Sequence, residues 1–115
     1  MIAVFDNPWL QGLFGDDDAM RLWTPEVQLG HYIAFEVALA EALEAAGRVP
    51  EGTGSTAAQA IRTAEIDLDR LRKGTAKDGL PIPDLVRQLR DAAGNAGEAV
   101  HGGATSQDVM DTALA

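Results

Sequence analysis

Thr24-Pro25-Glu26-Val27-Gln28-Leu29-Gly30-His31-Tyr32-Ile33-Ala34-Phe35-Glu36-Val37-Ala38-Leu39-Ala40-Glu41-Ala42-Leu43-Glu44-Ala45-Ala46-Gly47 decides the fold class. The stretch predicts one long helix over residues 25–46. Thr24 is a good N-cap, and Pro25 suits the first helical position, where no N–H is needed. Gly47 supplies the C-terminal stop. Leu29, Ile33, Val37 and Ala40 recur at helical spacing, flanked by Phe35, Leu39, Ala42 and Leu43. So wide an apolar arc predicts a helix covered on most of its circumference. His31 and Glu36 lie within it, and their ordinary reading is that of partly exposed or satisfied helix residues.

The rest of the chain reads as helix and loop as well. No stretch alternates with period two in the manner of a strand, and about one residue in six is Ala, the best helix former. Residues 1–15 look like an irregular leader punctuated by Asn7-Pro8, Gly12 and Gly15, with a short helix expected over 17–23 behind Asp16, Asp17 and Asp18. Beyond a linker over 50–54, helices are expected over 55–63 and 67–76, with Ile61, Ile66, Leu68 and Leu71 buried. Leu80-Pro81-Ile82-Pro83 is expected to be extended, because residues before proline avoid the helical region. A further helix over 84–93 turns Leu85, Val86 and Leu89 inward and Arg87 and Arg90 outward, and Gly94, Asn95 and Gly97 break it. A last helix starts near Thr105, whose spacing to Asp108 resembles a capping box. It carries Val109, Met110 and Leu114 and runs out at Ala115 without a stop signal, as a truncated protein or a frayed terminus would.

At 115 residues the chain is long enough for one domain with a real core, and 46% hydrophobic with 23% charged residues is a globular balance. There is no cysteine, which excludes disulfides, thiolate metal sites and a cysteine nucleophile. The longest apolar run falls short of a membrane span, and the first residues lack the pattern of a secretory signal, so a cytoplasmic protein is expected. The net charge of −9 argues against nucleic-acid binding. Its distribution is uneven: residues 1–60 carry −7, 61–90 carry +2 and 91–115 carry −4. The basic middle is either a place for an anion or a solvated helical face.

Chemistry concentrates in His101-Gly102-Gly103-Ala104-Thr105-Ser106-Gln107-Asp108-Val109-Met110-Asp111-Thr112. Adjacent glycines let a backbone approach a ligand closely. Thr105 and Ser106 bring two hydroxyls and unpaired backbone N–H groups to a helix start, an arrangement suited to a carboxylate. His101 could donate a proton or a hydrogen bond there. The same features also describe an ordinary glycine loop before a capped helix.

This stretch resembles the first signature region of the fumarase/aspartase superfamily. Its wording Gly103-Ala104-Thr105-Ser106-Gln107-Asp108 is similar to that of bacterial 3-carboxy-cis,cis-muconate cycloisomerases. The leader with Asn7-Pro8 and Gly12-Leu13-Phe14-Gly15, the helix segment 34–40 and the stretch 76–90 resemble the same proteins in the same order. Adenylosuccinate lyases share the signature but usually carry a functional histidine upstream, where Lys77-Asp78-Gly79 stands here.

The resemblance implies an all-α fold: the N-terminal helical domain of a helical-bundle enzyme, spanning 1–115 as a single domain and ending before the central bundle. It implies an intramolecular lyase, or cycloisomerase, that lactonizes 3-carboxy-cis,cis-muconate in aromatic degradation by the protocatechuate/β-ketoadipate route. His101 and Ser106 would be catalytic, and Thr105, Ser106 and Gln107 would bind a small polycarboxylate. Asp108 and Asp111 would hold the loop and helix in place. No metal or organic cofactor, nucleic acid or membrane is implied. The relatives build their sites from several subunits of a homotetramer, so a homo-oligomer is expected and the 115-residue chain alone is expected to be inactive. Position 102, usually aromatic in the relatives, is Gly here. The alternatives are an adenylosuccinate lyase-like β-elimination enzyme and a non-catalytic, self-associating helical module.

Overall fold

The computed structural model describes residues 24–115; the expected leader and the helix over 17–23 lie outside the described residues. Two compact units divide the chain, Met1–His31 and Tyr32–Ala115. The regular elements among the described residues are all helices, with no strand.

Helix α1, Pro25–Ala45, begins and ends as its sequence dictates. The Thr24 hydroxyl accepts from the Val27 N–H at 3.3 Å. At the other end Gly47 takes φ 72°. There the Gly47 N–H reaches the Glu44 carbonyl (3.0 Å) and the Arg48 N–H reaches the Leu43 carbonyl (2.9 Å). That crossed pair is the Schellman closure, which satisfies two carbonyls the helix leaves open. The expected cover is not found. Within α1 only Glu36 and Ala40 are buried, while Leu29, Ile33, Phe35, Val37, Leu39 and Leu43 are half-buried. An arc this wide needs more neighbouring surface than the described residues bring to it.

Helix α2, Thr53–Thr63, starts two residues before the expected position. Gly52 at φ 87° is its N-cap and offers no side chain to it. Glu44 of α1 caps it instead, accepting from the Ser55 N–H at 2.9 Å and from its hydroxyl at 3.1 Å. Gly54 permits this crossing. A β-carbon there would collide with the Ala40 carbonyl oxygen and lie 2.6 Å from the Glu44 Cβ.

Helix α3, Leu68–Asp78, is capped by Asp67, whose carboxylate accepts from the Arg70 N–H at 3.0 Å; Gly79, at φ 81°, ends it. It buries no residue. Leu68 is 60% exposed, against expectation, and Ile66 and Leu71 are half-buried. Charge, not burial, organises this helix: Arg72 and Lys73 pair with Asp69, and Arg70 reaches Asp84 and Asp91. Arg87 and Arg62 likewise find Asp78 and Glu41. The basic middle of the chain is thus largely neutralised by its own acidic neighbours.

Helix α4, Ile82–Ala93, corrects the extended reading of the proline stretch. Pro81, at φ −79° and ψ −20°, is already helical, and Pro83 sits in the first turn. A first-turn proline forfeits an N–H that has no partner in any case, so two prolines start this helix rather than exclude it. Gly94, at φ 57°, ends the α-helix, but the chain tightens into a 3-10 helix, η1, over Gly94–Ala99 instead of breaking into loop.

Helix α5, Ser106–Leu114, completes the described chain. α4 is the centre of the packing and touches α2, α3, η1 and α5. Ile61, Ile82, Leu85, Leu89, Val100 and Val109 are essentially inaccessible. Val109 therefore belongs to the core of this chain and does not wait for a further bundle, whereas Leu114 is 60% exposed.

Candidate functional site

The loop between η1 and α5 is held at both ends. On its near side the Arg90 guanidinium donates to the Val100 carbonyl from Nη2 at 3.2 Å and from Nε at 3.4 Å. Arg90 points outward as expected, yet it anchors the backbone just before His101. On the far side the capping box is complete. The Thr105 hydroxyl accepts from the Asp108 N–H at 3.3 Å, and the Asp108 carboxylate accepts from the Thr105 N–H at 2.9 Å. Two orphan N–H groups are thereby satisfied. Those of Ser106 and Gln107 belong to the first turn, which has no intrahelical acceptor for them.

His101 takes φ 59°, the one described residue other than glycine in the left-handed region. Such a conformation costs on the order of 1 kcal/mol and is held only by its surroundings. Its ring meets Glu36, whose Oε1 lies 2.6 Å from His101 Nδ1. Glu36 is completely buried in α1, and its second oxygen, Oε2, has no partner among the described residues. The histidine side chain keeps 12% of its surface exposed. Sequence reading treated Glu36 as an unremarkable helix residue. The signal available was a lone carboxylate on an apolar arc. Its partner stands 65 residues away, where no local spacing reveals it.

The other expected site residues fall into place unevenly. Thr105 is exposed, with its hydroxyl committed to the capping box. Ser106 is half-buried, and its hydroxyl has no partner among the described residues. Gln107 is exposed and donates to Asp111 one turn on, at 2.5 Å. Asp108 thus bonds within the cap and Asp111 with Gln107.

A cleft of about 470 Å³ borders the loop, lined by Leu43, Arg48, Val49, Glu98, Gly102 and Gly103. It meets the loop through the two glycines; Thr105 and Ser106 do not line it. A β-carbon at Gly102 would lie 2.9 Å from the Leu43 methyl and 3.2 Å from the Glu98 carbonyl. Glycine therefore lets this backbone lie against α1. Among the described residues no group of three or more His, Asp or Glu could hold a metal ion, and no helix is long and apolar enough to cross a membrane.

No family model matches the chain. A crystal structure of a fumarate lyase from Mesorhizobium sp. BNC1 superposes with a TM-score of 0.81 at 40% identity, covering 86% of this chain and 23% of that one. The 3-carboxy-cis,cis-muconate cycloisomerase of Acinetobacter baylyi is 35% identical over 88% of this chain and 24% of its own length. The adenylosuccinate lyase of Pyrococcus abyssi is 32% identical over 89% of this chain and 23% of its own length. The chain thus spans about a quarter of the length of the curated relatives it matches.

Proposed function

We propose, for a chain whose fold and relatives are those of the fumarate lyase/aspartase superfamily, that residues 101–108 contribute a carboxylate-binding loop to an enzyme acting on small polycarboxylates. The observation that carries this reading is the capping box. It consumes the Thr105 hydroxyl and the Asp108 N–H, and leaves the Ser106 hydroxyl and the first-turn N–H groups of Ser106 and Gln107 for a ligand. Ser106 supplies the hydroxyl, Thr105 and Asp108 shape the turn, and His101 lines the site. Gln107 is held to Asp111 and would have to leave it to meet a ligand.

The reaction class follows from what such donors stabilise. In lactonization a carboxylate oxygen adds to one alkene carbon and a proton to its neighbour, so substrate and product are isomers. In the reverse sense this is a β-elimination. Both directions build charge on a second carboxylate conjugated with the reacting carbons, and preorganised N–H and O–H donors stabilise that charge. The wording of residues 103–108 favours 3-carboxy-cis,cis-muconate as substrate. The adenylosuccinate type of elimination is the second reading, since relatives of that name match at comparable identity. The 115-residue chain by itself is expected to be without turnover and to self-associate, covering the half-buried Met110 and the exposed Leu114.

Calorimetry with a tricarboxylate tests the reading. Binding that weakens about tenfold in Ser106→Ala, the order expected for loss of a hydrogen bond to a charged group, supports it. Binding unchanged in that variant, or none at all, contradicts it. Lactonization of 3-carboxymuconate by the purified chain would overturn the expectation that it is inactive alone.

A further inference from the structure

We propose that Glu36 is a positioning residue that fixes the proton of His101 on Nδ1 and leaves Nε2 as the accessible nitrogen. Three observations converge on it. Glu36 is fully buried on the apolar side of its helix, its Oε1 stands 2.6 Å from His101 Nδ1, and the histidine backbone at that contact has a left-handed φ of 59°. A carboxylate has acceptors only. With Glu36 as the carboxylate, the proton between the two atoms comes from the imidazole, and Nδ1 is its carrier. The neutral ring then has its lone pair on Nε2. The alternative arrangement, a neutral Glu36 donating to a bare Nδ1, would put the ring proton on Nε2 and reverse the chemistry of the exposed edge.

The assignment changes what His101 can do. Sequence reading cast it as a donor. With Nδ1 occupied by Glu36, the ring accepts a proton at Nε2 to become an imidazolium paired with the Glu36 carboxylate. It returns to the neutral Nδ1–H form when it gives that proton back. Only this use of the ring rests on the carboxylate-site reading above; the location of the proton does not.

The test is long-range proton–nitrogen NMR of the 115-residue chain labelled in histidine, with His31→Gln assigning the signals, at a pH where both rings are neutral. We expect a single His101 tautomer protonated at Nδ1. A ring protonated at Nε2 would overturn the proposal outright. Glu36→Ala should dissolve the preference into the mixture of an unrestrained imidazole. Should that variant fail to fold, Glu36→Gln, whose amide can both donate and accept, should give mixed tautomers as well. An unchanged Nδ1–H tautomer in the folded variant would show that something other than Glu36 places the proton. Carboxylate binding is read in a separate experiment, so either idea can fail without the other.

Discussion

His101 combines a left-handed backbone with a buried contact, and alanine there keeps the first while losing the second. His101→Ala deletes the one partner of the Glu36 carboxylate among the described residues. The stranded group is left buried, and we expect a loss of about 1.5–3 kcal/mol, read by urea unfolding. Unchanged stability would mean that Glu36 is hydrated and the contact incidental. Nothing in the local sequence announces this pair, because hydrogen bonds across long separations leave no periodic trace. The Thr105–Asp108 box and the Thr24 cap were legible for the opposite reason: both partners lie within one turn of chain, and their spacing is their geometry. Ser106 stands between the two cases. Its place at the helix start could be read, but not its distance from the cleft that Gly102 and Gly103 border.

At the scale of elements, the junction of α1 and α2 depends on Glu44. The Ser55 backbone N–H holds its carboxyl below the ordinary glutamate value of 4.5, and the Ser55 hydroxyl adds to this. A folded value below the unfolded one means that the contribution is present above the unfolded pKa and is lost as pH falls through the folded one. Melting temperature should therefore drop more steeply in the wild type than in Glu44→Gln as pH falls from the unfolded value through the folded one; parallel curves would exclude the clamp. Steric fit at the same crossing is separately testable. Gly54→Ala would drive a methyl into the α1 backbone, and it should cost about 1–3 kcal/mol by thermal unfolding. The cap on α2 was invisible in the sequence because it comes from another helix, and the start of α2 was misplaced accordingly. In the proline stretch the preference against helix before proline yields to the free N–H positions of a first turn, which no local propensity displays.

For the whole molecule, the hub role of α4 was foreseeable from Leu85, Val86 and Leu89, whose inward face the structure confirms. Leu89→Ala should cost about 2–5 kcal/mol, measured by denaturant unfolding. The all-helical class could also be read from capping residues and the absence of alternation. Burial of α1 could not, since an apolar surface says that cover is needed and not what provides it. The most direct test of the carboxylate loop is backbone amide NMR during titration with a tricarboxylate. The account predicts that the Ser106 and Gln107 amides move first and furthest, and that the same response in Ser106→Ala needs about tenfold more ligand. Shifts confined to the Arg48 side of the cleft, with Ser106 and Gln107 unmoved, would contradict it.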